Sequence, residues 1–542
     1  MKAICQTGSF EAFSMYNAIY VDKTELIYSL VSLPNRIFIS RPRRFGKSLT
    51  LDTIATLFET GVEPYFKGTW IYDKWTEPTY PVLRLNFLNF DKNSLEKFNN
   101  KLNSKITEFA ELNHVTSYKE KEEAEDSIDH LLEQLRLENR QIVILIDEYD
   151  CQMTANINNE TLYKQFQEKI KSFYANLKDK LAIKFLGITG VTRLKDVESF
   201  SVGSDINDIT NDSAYSQMIG FTRDEIKKFY IDYLKLAASY ENNCNVDEVT
   251  DTQIESLLDR LAQNYDGYCF DEFYKKKVFS TWSVNSFFQS IVENKFVFFD
   301  EYWYDNGGLP SILVNYLKTH ELNIFEYLDK DKFLKVSSDD FKNPTALTTI
   351  NQNVLMCQTG YLTLRSDLKK SSTVLLGIPN GEIYKALNRL LANNIFKGKA
   401  DVTDDQGKNL LEEGTVDDII NLFNRALNSV SYDNYPIVSE SSVQNMLKLY
   451  LLGAHQEVLS EVHEAKGRAD LIVNTDIRRI VFEFKYAQNE SEAKTKLSEA
   501  VEQIKSRDYG NILPKKHELL RIAAVFNADP KVRAFTENQI VP

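Results

Sequence analysis

Apolar positions in the first third of the chain fall in short runs separated by helical patterns. Arg36-Ile37-Phe38-Ile39 predicts a buried strand, and Leu49 to Glu59 a helix after the turn Gly46-Lys47-Ser48. Val82-Leu83-Arg84-Leu85-Asn86-Phe87 predicts a second strand. Gln141 to Ile146 predicts a third, apolar on both faces, and Ala182-Ile183-Lys184-Phe185-Leu186 a fourth. The charged stretch Asn93 to Arg140, with its spaced leucines, predicts helix. Strands alternating with helices are the rhythm of a parallel sheet, because each parallel connection must cross back over the sheet. From Phe221 to about Thr415 the pattern is mostly helical and rich in Phe, Tyr and Leu, which suggests a lid or adaptor. Asp401 to Gly414 is polar and acidic and is expected to be a linker or exposed loop. Thr415-Val416-Asp417-Asp418 opens a helix in capping-box style. Glu440 to Pro542 reads helix, strand, strand, helix, strand. The expected division is therefore 1–220, 221–414 and 415–542.

Length and composition narrow this picture. A chain of 542 residues is too long for one ordinary core, so several domains are expected. Hydrophobic content of 43% and charged content of 26% are those of a folded protein. A net charge of -14 repels polyanions, so any nucleic-acid contact needs a locally basic surface. The cysteines Cys5, Cys151, Cys244, Cys269 and Cys357 form no CxxC, which argues against a zinc finger or a disulfide framework. Met1 to Ser14 lacks the pattern of a signal peptide, and no apolar run approaches a membrane span. The expected location is cytoplasmic, with no membrane partner.

The chemistry begins at Arg41-Pro42-Arg43-Arg44-Phe45-Gly46-Lys47-Ser48. A phosphate-binding loop needs backbone N–H groups at a helix N-terminus, a lysine for the outer phosphates and a hydroxyl for magnesium. Gly46, Lys47 and Ser48 supply these in order, although Arg41 stands where the motif's first glycine belongs. The apolar strand Ile142 to Ile146 runs into Asp147-Glu148-Tyr149-Asp150. Asp147 is expected to hold the metal and Glu148 to polarise an attacking water. The segment Gly187-Ile188-Thr189-Gly190-Val191-Thr192-Arg193 closes the next strand, and polar residues at its tip, Thr189 among them, are expected to face the terminal phosphate as a sensor does. The expected nucleotide-binding set is thus Arg44, Phe45, Gly46, Lys47, Ser48, Asp147 and Thr189, with ATP and Mg2+ as cofactors. Arg41, Arg43 and Arg44 have three readings: steering phosphate, acting as a finger, or decorating the surface.

A second constellation lies near the C-terminus. Gly467-Arg468-Ala469-Asp470 turns into one strand, and Ile480-Val481-Phe482-Glu483-Phe484-Lys485 forms its partner. Alternate strand residues share a face, so Glu483 and Lys485 point together, and Asp470 can join them. Two carboxylates and a lysine on one face can hold a divalent metal and orient hydroxide toward a phosphodiester. Asp470, Glu483 and Lys485 are the expected catalytic residues here, beside Glu148 in the first site. Expected metal ligands are Ser48 and Asp147 in the first site, and Asp470, Glu483 and Glu440 in the second. Gln503 and Tyr509 are expected to flank the second site. The bare spacing also occurs at Glu293/Lys295, Glu464/Lys466 and Glu492/Lys494, where no apolar strand surrounds it.

These segments resemble a bacterial family of AAA-ATPase-like proteins with a C-terminal PD-(D/E)xK nuclease-like domain. The resemblance also runs through Tyr20-Val21-Asp22-Lys23-Thr24, Asp208-Ile209-Thr210, Gly220-Phe221-Thr222, Tyr265-Asp266-Gly267-Tyr268, Gly360-Tyr361-Leu362-Thr363 and Gly377-Ile378-Pro379-Asn380. It implies that arginine at position 41 is normal. It also implies an α/β fold: a RecA-like P-loop domain with a parallel sheet, a helical middle region and a restriction-endonuclease-like C-terminal α/β domain. The implied function is an ATP-binding, ATP-hydrolysing protein coupled to a magnesium-dependent nuclease in defence or mobile elements. Its expected partner is nucleic acid, DNA rather than RNA, with a homo-oligomer also expected. The competing reading is a nucleotide-switched regulator whose nuclease-like domain binds nucleic acid or protein without cutting. A small-molecule kinase fits less well, because a glutamate beside the metal ligand serves water activation.

Overall fold

In the computed structural model, residues 1–33, 35–194, 206–303, 311–317, 320, 323–344, 346–396, 404–454, 456–464, 467–509 and 518–542 are described. Five strands form the first sheet: β1 (Asn35–Ser40), β2 (Val82–Asn86), β3 (Ile142–Asp147), β4 (Ile183–Gly190) and β5 (Asn207–Asp208). Their order is β2-β3-β4-β1-β5 and every neighbouring pair is parallel. All residues of β3 and β4 are buried, as expected for strands covered on both faces. Because β4 lies between β1 and β3, its tip lies beside both the phosphate loop and Asp147. Ile39 pairs with Thr189 and Ser40 with Gly190. The helices Leu95–Leu112 and Ala124–Leu137 occupy the predicted charged stretch, burying their spaced apolar residues.

The chain divides into two compact units, Met1–Leu322 with Phe333–Ile383, and Asn323–Lys332 with Tyr384–Pro542. Most of the helical middle region therefore lies in the same unit as the parallel sheet. The physical reason is a shared core. Ile19 and Val21 lie in one apolar cluster with Ile226, Leu257, Tyr265 and Phe287, which come from the helices Arg223–Phe229, Asp251–Tyr265 and Thr281–Asn294. This unit also holds an antiparallel sheet of β6 (Leu334–Ser337), β7 (Thr363–Leu364) and β8 (Thr373–Gly377), in the order β6-β8-β7. These strands are too short to stand out from a helical background.

The second unit carries β9 (Glu457–Glu464), β10 (Gly467–Asn474), β11 (Arg478–Ala487), β12 (Glu518–Asn527) and β13 (Ala534–Ile540). Their order is β13-β12-β11-β10-β9; β11 and β12 are parallel and the other pairs antiparallel. Helix Glu490–Arg507 makes the crossover that a parallel pair requires. The pattern had shown neither β9 nor β13. Both are edge strands, whose polar side chains break up the apolar run by which the inner strands are recognised. The expected loop at Asp401 to Gly414 is corrected over its described part. Asp404–Glu413 is a helix that buries Leu411, so a polar composition concealed a single apolar anchor. The capping box at Thr415 is present: its hydroxyl accepts the Asp418 N–H, and Asp418 accepts the Thr415 N–H in return.

Candidate nucleotide and nuclease sites

The phosphate loop leaves β1 at Ser40 and enters helix Lys47–Thr60. Gly46 has φ of 103°, a conformation in which side chains are rarely found, and it provides no side-chain cap. The N–H groups of the first helical turn therefore remain available to an anion. Lys47 is buried and donates to the carbonyl oxygens of Arg41 at 3.1 Å and Pro42 at 3.2 Å. It also lies 3.6 Å from Glu148 Oε1. Ser48 Oγ donates to Asp147 Oδ2 at 2.6 Å, and Thr189 Oγ1 donates to Asp147 Oδ1 at 2.6 Å. The order of the strands brings these three together, although 99 residues separate Ser48 from Asp147.

Glu148 sits just past β3 with φ of 53°, turning its side chain out of the strand's alternation. Burial pushes its carboxyl up, opposed by the charge of Lys47. Asp150 is structural: it accepts from Thr192 N at 2.7 Å and Thr192 Oγ1 at 2.6 Å, tying down the segment after β4. Gly190 must be small there, because a Cβ would lie 2.5 Å from the Tyr149 ring.

The three arginines separate by environment. Arg41 is 1% exposed, so it neither decorates the surface nor reaches a bound phosphate. Its Nη1 donates to Ser40 O at 2.8 Å and Thr210 O at 2.7 Å, and its guanidinium stacks 4.1 Å from the Phe270 centroid. Burial lowers its pKa to about 9, which leaves it charged at neutral pH. The missing first glycine is thus replaced by an internal brace for the loop. Arg44 is exposed and stacks on Trp282 at 4.0 Å. Phe45 is buried edge-on against Tyr268, so it anchors the loop through its ring.

A cavity of about 490 Å3 opens at the loop, lined by Arg43 to Ser48 on one side and by Tyr20, Lys23, Phe221, Tyr230, Trp282 and Asn285 on the other. This volume lies within the range of small-ligand sites. Sequence reasoning missed its far wall. Only the Tyr20-Val21-Asp22-Lys23-Thr24 and Gly220-Phe221-Thr222 segments carried a signal, and that came from the resemblance. Lys23 is held there by Glu225 Oε1 at 2.6 Å and the Gln217 carbonyl at 2.8 Å. Burial lowers its pKa, against the raising effect of Glu225.

The second constellation is built across β10 and β11. Leu471 pairs with Phe482, which sets Asp470 beside Glu483. Asp470 Oδ2 accepts from Phe484 N at 2.9 Å, and the Gln444 side chain donates to the Asp470 carbonyl. Glu483 is fully buried, and its Oε1 accepts from Lys485 Nζ at 2.7 Å. Lys485 also reaches Phe484 O at 3.1 Å and Glu440 Oε1 at 3.4 Å. A surface ion pair is therefore excluded. By contrast, Glu293, Lys295 and Lys494 are exposed, and Lys466 lies outside the described residues. Burial, reinforced by the charge of Asp470, pushes Glu483 up to about 7 despite Lys485. Its Oε2 is buried without a hydrogen-bond partner among the described residues, the kind of oxygen a cation would satisfy beside Asp470. Among the described residues no group of three or more His, Cys, Asp or Glu side chains is arranged to hold a metal. Glu440 turns to Lys485. Tyr509 is buried in an apolar cluster with Ala469 and Val481, its hydroxyl accepting from Arg507 Nη1 at 2.7 Å, while Gln503 stands 3.5 Å from that hydroxyl.

Comparison with known proteins agrees with both halves. Residues 5–200 match a family described as predicted AAA-ATPase, and residues 438–535 match the PD-(D/E)XK nuclease superfamily. An uncharacterized protein in the vnfD 5' region of Azotobacter chroococcum mcd 1 is 26% identical over 530 residues, covering 94% of this chain and 93% of that one. A crystal structure of Cdc6p from Pyrobaculum aerophilum aligns over 68% of this chain and 92% of its own at 11% identity, with a TM-score of 0.26, too low to bear on the assignment. No helix among the described residues is long and apolar enough to cross a membrane. The chain joins an AAA-ATPase-like N-terminal region, folded around a parallel P-loop sheet, to a C-terminal region of the PD-(D/E)XK nuclease kind.

Proposed function

We propose that the protein binds and hydrolyses ATP in the large cavity, and that its nucleotide state controls a divalent-metal-dependent nuclease acting on DNA. The observation that carries the first half is the clasp of Asp147 between Ser48 and Thr189, with Lys47, Ser48 and Glu148 lining the cavity. Ser48 and Asp147 would hold magnesium, which supplies charge to the β- and γ-phosphates. Lys47 would leave its loop carbonyls for the phosphates, and Glu148 would accept a proton from water. The second half is supported by the buried Glu483 with its unmet oxygen, beside Asp470 and Lys485. Those two carboxylates would hold the divalent ion, which supplies Lewis acidity at the phosphodiester. Lys485 keeps Glu483 oriented and places positive charge beside the cleaved bond. Basic and acidic residues nearly balance over 384–542, so the overall charge of -14 is concentrated elsewhere. A cytoplasmic setting in defence or mobile elements, and self-association, complete the reading.

Nucleotide binding, phosphate release and cleavage of DNA and RNA with magnesium or manganese test it directly. Lys47→Ala is expected to abolish ATP binding. Glu483→Ala and Lys485→Ala are expected to abolish cleavage with ATP binding intact. Equal cleavage by these variants and the parent would sink the nuclease reading. Among the described residues no group of three acidic side chains is arranged to hold a metal, which favours a second reading, a nucleotide-switched binder that does not cut. ATP-dependent DNA binding with no cleavage under either metal would establish it.

A further inference from the structure

Beside the nucleotide cavity lies a second, of about 40 Å3, lined by Arg43, Lys92, Glu148, Asp150 and Thr154 among others. A water needs roughly 10–15 Å3 of such space, so the chamber holds about three waters and no part of a nucleoside. Two residues, Arg43 and Glu148, line both cavities. The chambers therefore meet at the loop's middle arginine and at the glutamate after β3. Asp150 is committed to the Thr192 N–H and hydroxyl, which leaves Glu148 as the base facing the small chamber.

The arginines narrow in the same way. Arg41 is buried behind the loop, and Arg44 is stacked on Trp282. Arg43 is half-buried, and its guanidinium has no hydrogen bond or ion pair among the described residues. Its backbone is fixed, because the Trp303 indole N–H donates to the Arg43 carbonyl at 3.3 Å. A fixed backbone with an uncommitted cation at the junction is what a charge-stabilising group requires.

We infer that Arg43 is an arginine finger supplied in cis, reaching the γ-phosphoryl group of bound ATP from the protein's own phosphate loop, with the small chamber holding the attacking water. This rests on the nucleotide reading above. In the step, the water oxygen forms a bond to the γ-phosphorus and the bond to the β,γ-bridging oxygen breaks. The electron pair leaves on ADP, and the water's proton passes to Glu148. Arg43 offsets the charge gathering on the γ-oxygens, and Lys92 adds a cation on the chamber's wall. No neighbouring subunit is needed.

The test uses the full chain with Arg43→Ala, Arg43→Gln, Glu148→Gln and Lys47→Ala, following ATPγS binding by calorimetry and ATP turnover by phosphate release. Arg43→Ala and Arg43→Gln should each lose about 10³-fold in kcat while still binding ATPγS, the scale expected of a lost finger. Arg43→Gln keeps a polar hydrogen-bonding head without the charge, and ATPγS binding by both variants rules out misfolding as the cause. Turnover per molecule should not depend on protein concentration. Mixing Arg43→Ala with Glu148→Gln should restore nothing, since each site needs both groups from one chain. Parental turnover by either Arg43 variant overturns the inference, as does restored turnover in the mixture, which a finger acting in trans would give. ATPγS binding without turnover in the parent overturns it and leaves nucleotide binding standing. Failure of the parent to bind ATPγS overturns both.

Discussion

Glu483 shows how a single residue can be placed against its own stability. Its carboxyl is fully buried and titrates at about 7, against an ordinary value of 4.5. The folded state therefore prefers the protonated form. That contribution is whole below pH 4.5 and is lost as pH rises through 7. Chelated Glu483→Gln should unfold at the same denaturant concentration as the parent near pH 4.5. At pH 8 it should be more stable by about 3 kcal/mol, the equivalent of the shift. Urea melts at the two pH values check this, and a parent as stable as the variant at pH 8 would refute it. Arg41 is the converse case, a buried cation that stays charged and is met by two carbonyls and a ring face. The sequence placed Arg41 beside the phosphates only by its position in the motif. Its direction depends on Thr210 and Phe270, which are remote in the chain.

At the scale of elements, the inner strands were legible because burial on both faces writes an unbroken apolar run, as in Ile142 to Ile146. The edge strands β9 and β13 and the short strands β6 to β8 were not, since polar or brief segments carry no such run. Caps behave differently, being local chemistry that reads the same before and after folding. The Thr415 box opens helix Val416–Asn428, which buries Ile419, Ile420, Phe423 and Leu427. Thr415→Ala should cost about 1 kcal/mol at pH 7. The Thr415 hydroxyl is the first cause holding the Asp418 carboxyl below its ordinary range. That part of the cost is present above the ordinary carboxylate pKa and disappears as pH falls through the lowered one. The difference between variant and parent should therefore shrink in melts at pH 2; an unchanged difference would remove the pairing from the account.

Across the whole molecule, two compact units share one chain. A ligand that binds only the folded first unit should stabilise that unit alone, by about 2.7 kcal/mol at a hundredfold excess over Kd. Calorimetric melting should show two transitions, of which ATPγS raises one. Lys47→Ala should abolish that shift, and Glu483→Ala should preserve it. A single transition, or two that rise together, would mean that the units melt as one. The division itself did not follow the change in composition at about residue 221. Ile19 and Val21 complete the helical core from the N-terminal end, and no local pattern shows a core assembled from distant segments.

The sequence alone determined which inner strands are buried, and it singled out the candidate groups at both sites: Lys47, Ser48, Asp147 and Glu148, and Asp470, Glu483 and Lys485. These are legible because burial, capping and motif chemistry act between near neighbours. Tertiary structure decided what depends on non-local packing. The strand order set Thr189 between the loop and Asp147. The Arg41 side chain packed behind the loop, while Arg43 was left at the junction of two cavities. Burial of Glu483, finally, moved its titration to about 7.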